Sequence, residues 1–317
     1  MTCLPRPVVR AIVVWRLPRV ANVEVTTACD LACPLCPTHV VTRGTRYLSG
    51  HHVAGILNGN DGLRDVCFHV QGEPLLHPRL FEFVDRFAAR GVCTHFSTNG
   101  NRLLQRASEL MNSRLDSIAV AIDGSSQGEY ERYRVGGSVE RVKGGVRAIM
   151  AAREDLDRAT PRVELQVIEF PHLGERMGEI RAEFEELGAD QVRIKKPTLE
   201  VSEEQFASRA GEPRIKRGLK RARNFLDSLP AVPANAERRA RRYRDDPICS
   251  QLEKATVLAD GRVVACCMDA DGETAFGNVE KKTLAQVWRS QEHVDLLARY
   301  QSRELSLCGL CTLTHPT

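Results

Sequence analysis

The chain has 317 residues, of which 42% are apolar and 27% are charged, and its formal net charge at pH 7 is +4. This composition is typical of a globular protein and excludes a disordered or fibrous chain. The net charge is too small to indicate binding to nucleic acid or to a membrane surface. The sequence has no apolar run of roughly 18–20 residues, the length that a membrane span needs, and it begins without a signal-peptide pattern. We therefore expect a soluble, cytoplasmic protein that contacts neither a membrane nor nucleic acid.

Eleven cysteines need an explanation in a cytoplasmic protein, where disulfides are rare. Their distribution is uneven, because three of them crowd residues 29–36 and five more lie between residues 249 and 311. Metal or iron–sulfur chemistry explains two such groups better than disulfides do. We interpret Cys3, Cys67 and Cys93 as incidental or buried thiols.

Short apolar runs alternate with amphipathic stretches from residue 21 to about residue 196. The predicted strands are 22–27, 65–70, 93–98, 117–122, 163–168 and 191–196, and predicted helices include 78–91, 139–154 and 175–188. Alternation of this kind indicates parallel strands that are joined by right-handed crossovers. The predicted fold class is therefore α/β, with a partial (β/α)6 barrel that resembles a TIM barrel.

The sequence predicts four segments. They are an N-terminal extension (1–20), the partial barrel (21–200), a basic linker with one or two exposed helices (201–245), and a small C-terminal domain (246–317). We interpret the basic side chains of the linker as a solvated surface, and binding to an acidic partner is the alternative. The C-terminal domain is predicted to contain a β-hairpin that turns at Asp260-Gly261, followed by an amphipathic helix over 283–300.

Each of the first four predicted strands runs into a polar or glycine-rich motif. The motifs are Ala28-Cys29, Gln71-Gly72-Glu73-Pro74, Ser97-Thr98-Asn99-Gly100 and Asp123-Gly124. The chemistry of a parallel barrel gathers at the carboxyl ends of its strands. We therefore expect these four motifs to contribute to one site.

The first motif begins a group of three cysteines with the spacing Cys29-x3-Cys33-x2-Cys36. Three thiolates on a cubane of four irons leave one iron with an open coordination site, and the ligands and their surroundings set the properties of the cluster. A zinc site completed by His39 or by a distant thiol is the alternative. The spacing directly after a strand favours the iron–sulfur cluster.

These segments resemble the radical S-adenosylmethionine (SAM) enzymes. The matching stretches are VEVTTACDLACPLCP, VQGEPLLHP, STNG and SIAVAIDG, in the order that is usual for that family. The resemblance implies that the three cysteines bind a [4Fe–4S] cluster whose fourth iron chelates SAM. Reductive cleavage of SAM would then release a 5′-deoxyadenosyl radical that abstracts a hydrogen atom from the substrate. The electron must come from a donor such as flavodoxin or ferredoxin.

The same resemblance implies which residues contact SAM. Gly72 and Glu73 correspond to the stretch that supports the methionine amino group, and Ser97 and Asn99 correspond to positions that contact the ribose. A carboxylate can pair with an ammonium group, and a glycine allows a close approach to the backbone. Structural turns are the alternative at both motifs. Asp123 is expected either to face SAM or substrate or to cap a helix. Weaker candidates on the last two strands are Gln166, Glu169, Arg193 and Lys195.

The segment from about residue 245 resembles the auxiliary-cluster region called SPASM or twitch. The matching features are Cys249, the doublet Cys266-Cys267, the stretch FGNVEKKTLAQVW and the pair Cys308-x2-Cys311. The full SPASM pattern carries more cysteines, for two auxiliary clusters. Because this region has five cysteines, the resemblance is to the shorter twitch form with one auxiliary [4Fe–4S] cluster. A zinc site with four thiolates is the alternative.

One cubane takes four thiolates, so one of these five cysteines is surplus. Either Cys249, which stands apart in the sequence, or one of the doublet is the thiol that is left over. The chain also resembles aminoglycoside-tailoring radical SAM enzymes with one auxiliary cluster. That resemblance implies that Cys249 is a hydrogen-atom donor and that Cys266, Cys267, Cys308 and Cys311 supply the auxiliary cluster.

A thiol that returns a hydrogen atom on the face opposite the abstraction inverts one carbon atom. The predicted activity is therefore that of an epimerase acting on a polycationic aminoglycoside. The alternatives are a dehydrogenase of an aminocyclitol or sugar alcohol, in which Cys249 is a cluster ligand, a peptide-modifying enzyme, and a non-catalytic metal-binding module. A cationic substrate needs carboxylates, for which Asp269, Asp271 and Glu273 are the candidates.

Overall fold

The computed structural model describes residues 16–197, 212–229 and 249–309. A mixed sheet forms the centre of the described part of the chain. Its nine strands are β1 (Val20–Val23), β2 (Asp65–Cys67), β3 (Cys93–Thr98), β4 (Ser117–Ala121), β5 (Arg162–Ile168), β6 (Gln191–Lys195), β7 (Ala255–Val257), β8 (Arg262–Val264) and β9 (Gly277–Asn278).

The first six strands are neighbours in chain order, and all of them run parallel. β7 pairs in parallel with the opposite edge of β1, so that Ala21 lies opposite Ala255. β8 and β9 then continue the sheet in the antiparallel sense. The C-terminal hairpin therefore extends the barrel sheet by three strands, an arrangement that the sequence did not indicate.

Helices follow most of the strands, as the crossovers of a parallel sheet require. They are α1 (Gly50–Leu57), α2 (Leu80–Ala88), α3 (Leu103–Asn112), α4 (Gln127–Tyr133), α5 (Val139–Asp155), α6 (Met177–Glu185), α7 (Pro213–Asp227), α8 (Leu284–Trp288), α9 (Gln291–Gln301) and α10 (Ser306–Gly309). This parallel α/β arrangement confirms the predicted fold class, a partial barrel.

Alternation along the strands separates the apolar core from the barrel interior. On β5, Val163, Leu165 and Val167 are at most 1% exposed and belong to the main apolar core. The residues between them, Glu164 and Gln166, point to the other face and are only partly buried. Because successive side chains of a strand point to opposite faces, the inner face of the sheet is left polar. This polar face is available to bind a ligand.

Several predicted boundaries differ from the observed ones. The first predicted strand (22–27) is observed as Val20–Val23, and the second ends at Cys67 where the sequence predicted residue 70. The single helix predicted over 283–300 is wrong. It is divided into α8 and α9, because Ser290 interrupts the helix and its side chain accepts a hydrogen bond from His293 N at the start of α9.

Other predictions concern the C-terminal hairpin, the N-terminal extension and the linker. The predicted hairpin is confirmed, and Gly261 at its turn has a φ of +82°. Residues 1–15 and most of the predicted linker lie outside the described residues, with the exception of α7. Among the described helices, none is long and apolar enough to cross a membrane.

Candidate cluster and SAM site

The three clustered cysteines lie on the loop that leaves β1 and ends in a short 3₁₀ helix, Pro37–His39. Cys33 is 6% exposed, and Cys29 and Cys36 are partly buried. Burial raises the pKa of Cys29, and electrostatic repulsion from the other two thiols raises it further. Because burial disfavours the charged thiolate, a cationic centre such as an iron cluster would be needed to hold these sulfur atoms as thiolates.

Hydrogen-bond donors surround these sulfur atoms. The backbone N–H of Leu31 lies 3.5 Å from Cys29 Sγ, and the Asn99 amide nitrogen lies 3.9 Å from the same atom. Donors to sulfur are the groups that adjust iron–sulfur clusters, so the surroundings of the thiols fit a [4Fe–4S] cluster. Among the described residues, no three Cys, His, Asp or Glu side chains are grouped closely enough to hold a single metal ion. This arrangement therefore does not distinguish the cluster from the zinc site completed by His39.

A charged pair lies beside Cys33. Arg134 Nη1 is 3.9 Å from Cys33 Sγ, and Arg134 Nε donates to Asp123 Oδ2 at 2.5 Å. Asp123 is fully buried, and its other oxygen accepts from the Ile168 backbone N–H at 2.5 Å. The alternative role of Asp123 as a helix cap is wrong, because Ser126 caps α4. Sequence reasoning missed Arg134, which lies just after α4 outside every recognisable motif.

Glu73 joins two of the predicted motifs. Its side chain is only 2% exposed, and its carboxylate accepts hydrogen bonds from Thr98 Oγ1 at 2.6 Å, from Asn99 N at 2.7 Å and from Leu75 N at 3.0 Å. Burial raises the pKa of Glu73 to about 7, although these hydrogen bonds lower it. The carboxylate thus ties the loop after β2 to the end of β3. Its predicted contact with the amino group of SAM stays a prediction.

The loop after β2 needs a glycine at position 72, because the backbone there is in the left-handed region and lies against the carbonyl oxygens of a neighbouring segment. The φ of Gly72 is +75°, and a Cβ atom at this position would lie 2.1 Å from the carbonyl oxygen of Thr26 and 2.8 Å from that of Ala28. The next residue, Glu73, donates its N–H to Ala28 O at 2.7 Å. The glycine therefore allows the loop after β2 to pack against the start of the cysteine loop.

Asp30 connects the cysteine loop to the end of β3. Its carboxylate accepts from Asn99 Nδ2 at 2.9 Å and from Asn101 Nδ2 at 3.0 Å, and Arg102 Nε lies 3.3 Å away. Asn99 is therefore held between Asp30 and Cys29, beside the predicted cluster. The sequence placed Asp30 directly after a predicted ligand, and this position was the one signal that could have identified it.

A cavity of about 440 Å³ lies against β3, β4, β5 and β6. Ser97, Gln166 and Arg193 line it, together with Glu164 and Cys67. These side chains alternate with core residues and so project from the inner face of the sheet. Two of the predicted SAM or substrate residues, Ser97 and Gln166, line this cavity, which also extends to the first residues of β4, β5 and β6, Ser117, Arg162 and Gln191.

Side chains of β5 and β6 form a polar network on this face. Glu164 accepts from Gln166 Nε2 at 2.6 Å and from Arg193 Nη2 at 2.8 Å, and Lys195 Nζ donates to Gln166 Oε1 at 2.7 Å. Glu169 instead pairs with Lys196. Sequence reasoning missed Glu164, which could have been found because it precedes Gln166 by two residues on the same strand.

The described cysteines of the C-terminal region lie next to the barrel. Cys249 precedes a short 3₁₀ helix, Ser250–Glu253, and both Cys249 and Cys308 pack against the main apolar core. Cys267 packs against the apolar cluster of Val70, Leu258 and Val264. Cys266 is partly buried, and Cys311 lies outside the described residues. The assignment of auxiliary ligands to Cys266, Cys267, Cys308 and Cys311 therefore stays a prediction.

The acidic residues near these cysteines mostly bind the protein itself. Asp269 is 4% exposed, and its carboxylate accepts from the backbone of Glu273 and from both the N–H and the hydroxyl of Thr274, at 2.5–2.9 Å. Asp271 accepts two hydrogen bonds from Thr42. Asp269 and Asp271 thus organise loops, whereas Glu273 is exposed. The expectation that Asp269 serves a cationic substrate does not suit its saturated carboxylate.

Comparison with known protein families places two domains along the chain. The radical SAM superfamily matches residues 23–155, and the SPASM iron–sulfur cluster-binding domain matches residues 249–312. A tungsten-containing aldehyde ferredoxin oxidoreductase cofactor-modifying protein of Pyrococcus furiosus is 23% identical over 300 residues, which cover 85% of this chain and 80% of that protein. Mycofactocin maturase MftC of Mycolicibacterium smegmatis is 31% identical over 121 residues, but these cover only 37% of this chain and 30% of MftC.

Solved structures share the fold. The structure of BtrN in complex with AdoMet and 2-DOIA matches with a TM-score of 0.53 and 16% identity, over 94% of each chain. The structure of Streptococcus suis SuiB bound to the precursor peptide SuiA matches with a TM-score of 0.61 and 14% identity, over 93% of this chain and 71% of SuiB. At these identities the match concerns the fold alone. The chain thus carries a radical SAM domain, with the [4Fe–4S] cluster and SAM that this domain implies, followed by a SPASM domain that implies auxiliary iron–sulfur chemistry.

Proposed function

We propose that the protein is a radical SAM epimerase that inverts one sugar carbon of an aminoglycoside, as in the conversion of neomycin C to neomycin B. The observation that carries the proposal is the surplus thiol of the C-terminal region. This region has five cysteines, whereas one auxiliary [4Fe–4S] cluster takes four. Cys249, which belongs neither to the Cys266-Cys267 doublet nor to the Cys308-x2-Cys311 pair, is the proposed hydrogen-atom donor.

In this proposal the cysteine loop holds the cluster through Cys29, Cys33 and Cys36. When bound, the cluster and SAM supply a one-electron reductive cleavage that yields a 5′-deoxyadenosyl radical. Glu73 and Asp30 fix the loops that border the site, through the hydrogen bonds described above. Ser97 and Asn99 remain the proposed ribose contacts and Gln166 a proposed SAM or substrate contact.

The protein's own step in the inversion is hydrogen-atom return. The hydrogen taken from the sugar stays on 5′-deoxyadenosine, so SAM is consumed. Cys249 gives the hydrogen atom of its S–H group to the opposite face of the carbon radical, which forms a new C–H bond and leaves a thiyl radical. One electron and one proton must then restore the thiol, and an electron donor supplies the electron.

The polar inner face of the barrel suits a sugar substrate. The cavity of about 440 Å³ is lined by hydroxyl, amide and charged side chains, among them Ser97, Gln166 and Glu164. Polar groups that converge in a cavity fix the orientation of a bound small molecule.

Turnover of neomycin C in deuterated buffer, with SAM and a reductant, tests the proposal. A product that is heavier by one deuterium and inverted at one carbon is expected, because a thiol exchanges its hydrogen with solvent. The Cys249→Ala variant should abolish this product but still cleave SAM. The matched control is Cys93→Ala, which removes an exposed thiol at the start of β3 and should leave turnover unchanged.

The same experiment distinguishes a second candidate, a dehydrogenase of an aminocyclitol or sugar alcohol. The structural match with BtrN, whose structure contains AdoMet and 2-DOIA, supports this candidate, since the match covers 94% of each chain. A product lighter by two hydrogen atoms, without deuterium, would overturn the epimerase. In that case Cys249→Ala should lower the iron content of the protein, because Cys249 would be a cluster ligand.

A third candidate is a peptide-modifying enzyme. SuiB, which was solved with a precursor peptide, and the maturase MftC support it. Absence of any product from the aminoglycoside, while SAM cleavage persists, would leave this candidate to be tested with precursor peptides.

A further inference from the structure

Helix α7 covers the cysteine loop with its apolar face. Ile215, Ala222 and Phe225 are at most 8% exposed, and they form one apolar cluster with residues of the cysteine loop and its surroundings. That cluster includes Leu31, Cys33, Leu35 and Val40. The helix is thus positioned by the loop that carries the predicted cluster ligands.

Two contacts show how closely the helix approaches this loop. A Cβ atom at Gly218 would lie 2.1 Å from Val40 Cγ1, so only a glycine allows this packing distance. Arg221 Nη1 lies 3.5 Å from the carbonyl oxygen of Ala32, the residue before Cys33. Only the thickness of one helix, about 10 Å, therefore separates the outer surface of α7 from the cysteine loop.

The outer face of α7 is strongly basic. Its exposed side chains include Lys216, Arg217 and Lys220. Among the described residues, no carboxylate forms an ion pair with Lys216, Arg217 or Lys220. The whole chain has a net charge of only +4, so this surface concentrates positive charge at one place. Such a patch attracts an acidic partner and accelerates its association.

We propose that the basic face of α7 is the docking surface for an acidic one-electron carrier protein of the flavodoxin or ferredoxin type. The radical SAM domain consumes one electron per SAM cleaved, and the carrier is oxidised by one electron in return. A carrier docked on α7 would lie on a surface of complementary charge close to Cys33. Complementary charge steers a protein partner and fixes its orientation. This inference depends on the radical SAM domain and is independent of the proposed epimerase reaction.

The test compares two triple variants of equal charge change in the intact, cluster-loaded enzyme. The first combines Lys216→Glu, Arg217→Glu and Lys220→Glu on the outer face of α7. The control combines Lys281→Glu, Lys282→Glu and Arg289→Glu, which reverses three exposed charges in the C-terminal region. Binding of oxidised flavodoxin is measured by calorimetry at low and high salt.

The α7 variant should bind flavodoxin more weakly than the wild type at low salt, by a factor on the order of ten, and the control variant should bind nearly as well as the wild type. Equal weakening in both variants would overturn the proposal, since net charge alone would then explain binding. Tighter binding of a DNA duplex than of flavodoxin to the α7 surface would also overturn it.

Formation of 5′-deoxyadenosine provides a second measurement that separates docking from damage to the loop. With flavodoxin as reductant, the α7 variant should be slower than the wild type by a similar factor. With dithionite, which needs no protein docking surface, the two should react at nearly the same rate. If both rates fall equally, the basic face serves only the packing of the cysteine loop and the proposal is wrong.

Discussion

Arg43 and Glu24 form a bidentate ion pair, with nitrogen–oxygen distances of 2.8 and 2.9 Å, at the junction of the two domains. Their side chains are 5% and 0% exposed. Arg43 Nε also donates to Ala270 O at 2.7 Å, and Glu24 accepts from Ala259 N at 2.9 Å. The pair thus joins the end of β1 and the segment after the cysteine loop to the C-terminal region.

Replacing one member of this pair should destabilise the protein strongly. Arg43→Met leaves the Glu24 carboxylate buried without its cation, which costs about 3–5 kcal/mol of unfolding free energy. The double variant Arg43→Met/Glu24→Gln should recover part of the loss, because no uncompensated charge remains. Urea unfolding of the three proteins measures the effect. The exposed pair of Arg181 and Glu185 is the control, and Arg181→Met should change stability by less than about 1 kcal/mol.

Glu73 should make the stability of the cluster-free protein fall as pH rises. Burial raises its pKa from 4.5 to about 7 in the folded state, so the folded protein binds more protons than the unfolded chain between these values. Stability is therefore lost as pH rises from about 4.5 to about 7 and is constant above that range, as far as this group is concerned. Glu73→Gln should reduce the pH dependence of the unfolding free energy between pH 4.5 and 7, whether or not the variant is less stable than the wild type.

The measurement is chemical unfolding at a series of pH values. Glu82→Gln is a suitable comparison, because Glu82 is exposed and Arg79 lowers its pKa. This variant should leave the pH dependence of stability between pH 4.5 and 7 nearly unchanged. An equal slope in wild type and Glu73→Gln would show that Glu73 titrates normally in the folded protein.

Gly72→Ala should prevent assembly of the cysteine loop. The added methyl group would lie 2.1 Å from Thr26 O, and the φ of +75° is unfavourable for alanine. We expect lower iron and sulfide content per chain after reconstitution. Gly91→Ala separates the steric clash from the backbone strain, since Gly91 has a φ of +70° but no atom lies within 4 Å of the added carbon. Gly91→Ala should cost about 1 kcal/mol of stability and retain iron; equal iron loss in both variants would contradict a steric role for Gly72.

Arg134 should raise the reduction potential of the cluster that Cys33 is predicted to bind. Its guanidinium donates to Cys33 Sγ and brings a positive charge, which stabilises the reduced, more negative cluster. Arg134→Met should therefore shift the midpoint potential to a more negative value in a redox titration monitored by electron paramagnetic resonance. Arg132→Met removes an exposed arginine two residues away and should leave the potential nearly unchanged. An unchanged potential in Arg134→Met would show that the contact with sulfur has no electronic effect.

Much of the domain order could be predicted from local sequence. The spacing of Cys29, Cys33 and Cys36 is contained in eight residues, and the strand–helix alternation is visible as a change of hydrophobic period. The two family matches agree with this interpretation, because they cover residues 23–155 and 249–312. Such patterns can be recognised in the sequence because they involve only residues that are close together in the chain.

The partners of individual side chains could not be predicted in this way. Arg134 reaches Cys33 across 101 positions of sequence, and Arg43 reaches Ala270 across 227. Asp123 does not cap a helix but lies in the ion pair with Arg134, and its contact with SAM or substrate stays a prediction. Such contacts depend on strand register and on how loops pack, and no local pattern encodes either.

The sequence by itself determined the chemistry that the chain can support, because thiolate spacing and glycine-rich strand ends are local properties. Only the tertiary structure decided that β7 joins the free edge of β1, and that α7 packs on the cysteine loop with its basic face outward. Backbone pairing between strands more than 200 residues apart, and burial of one helix face, are settled by the global minimum of free energy over the whole chain.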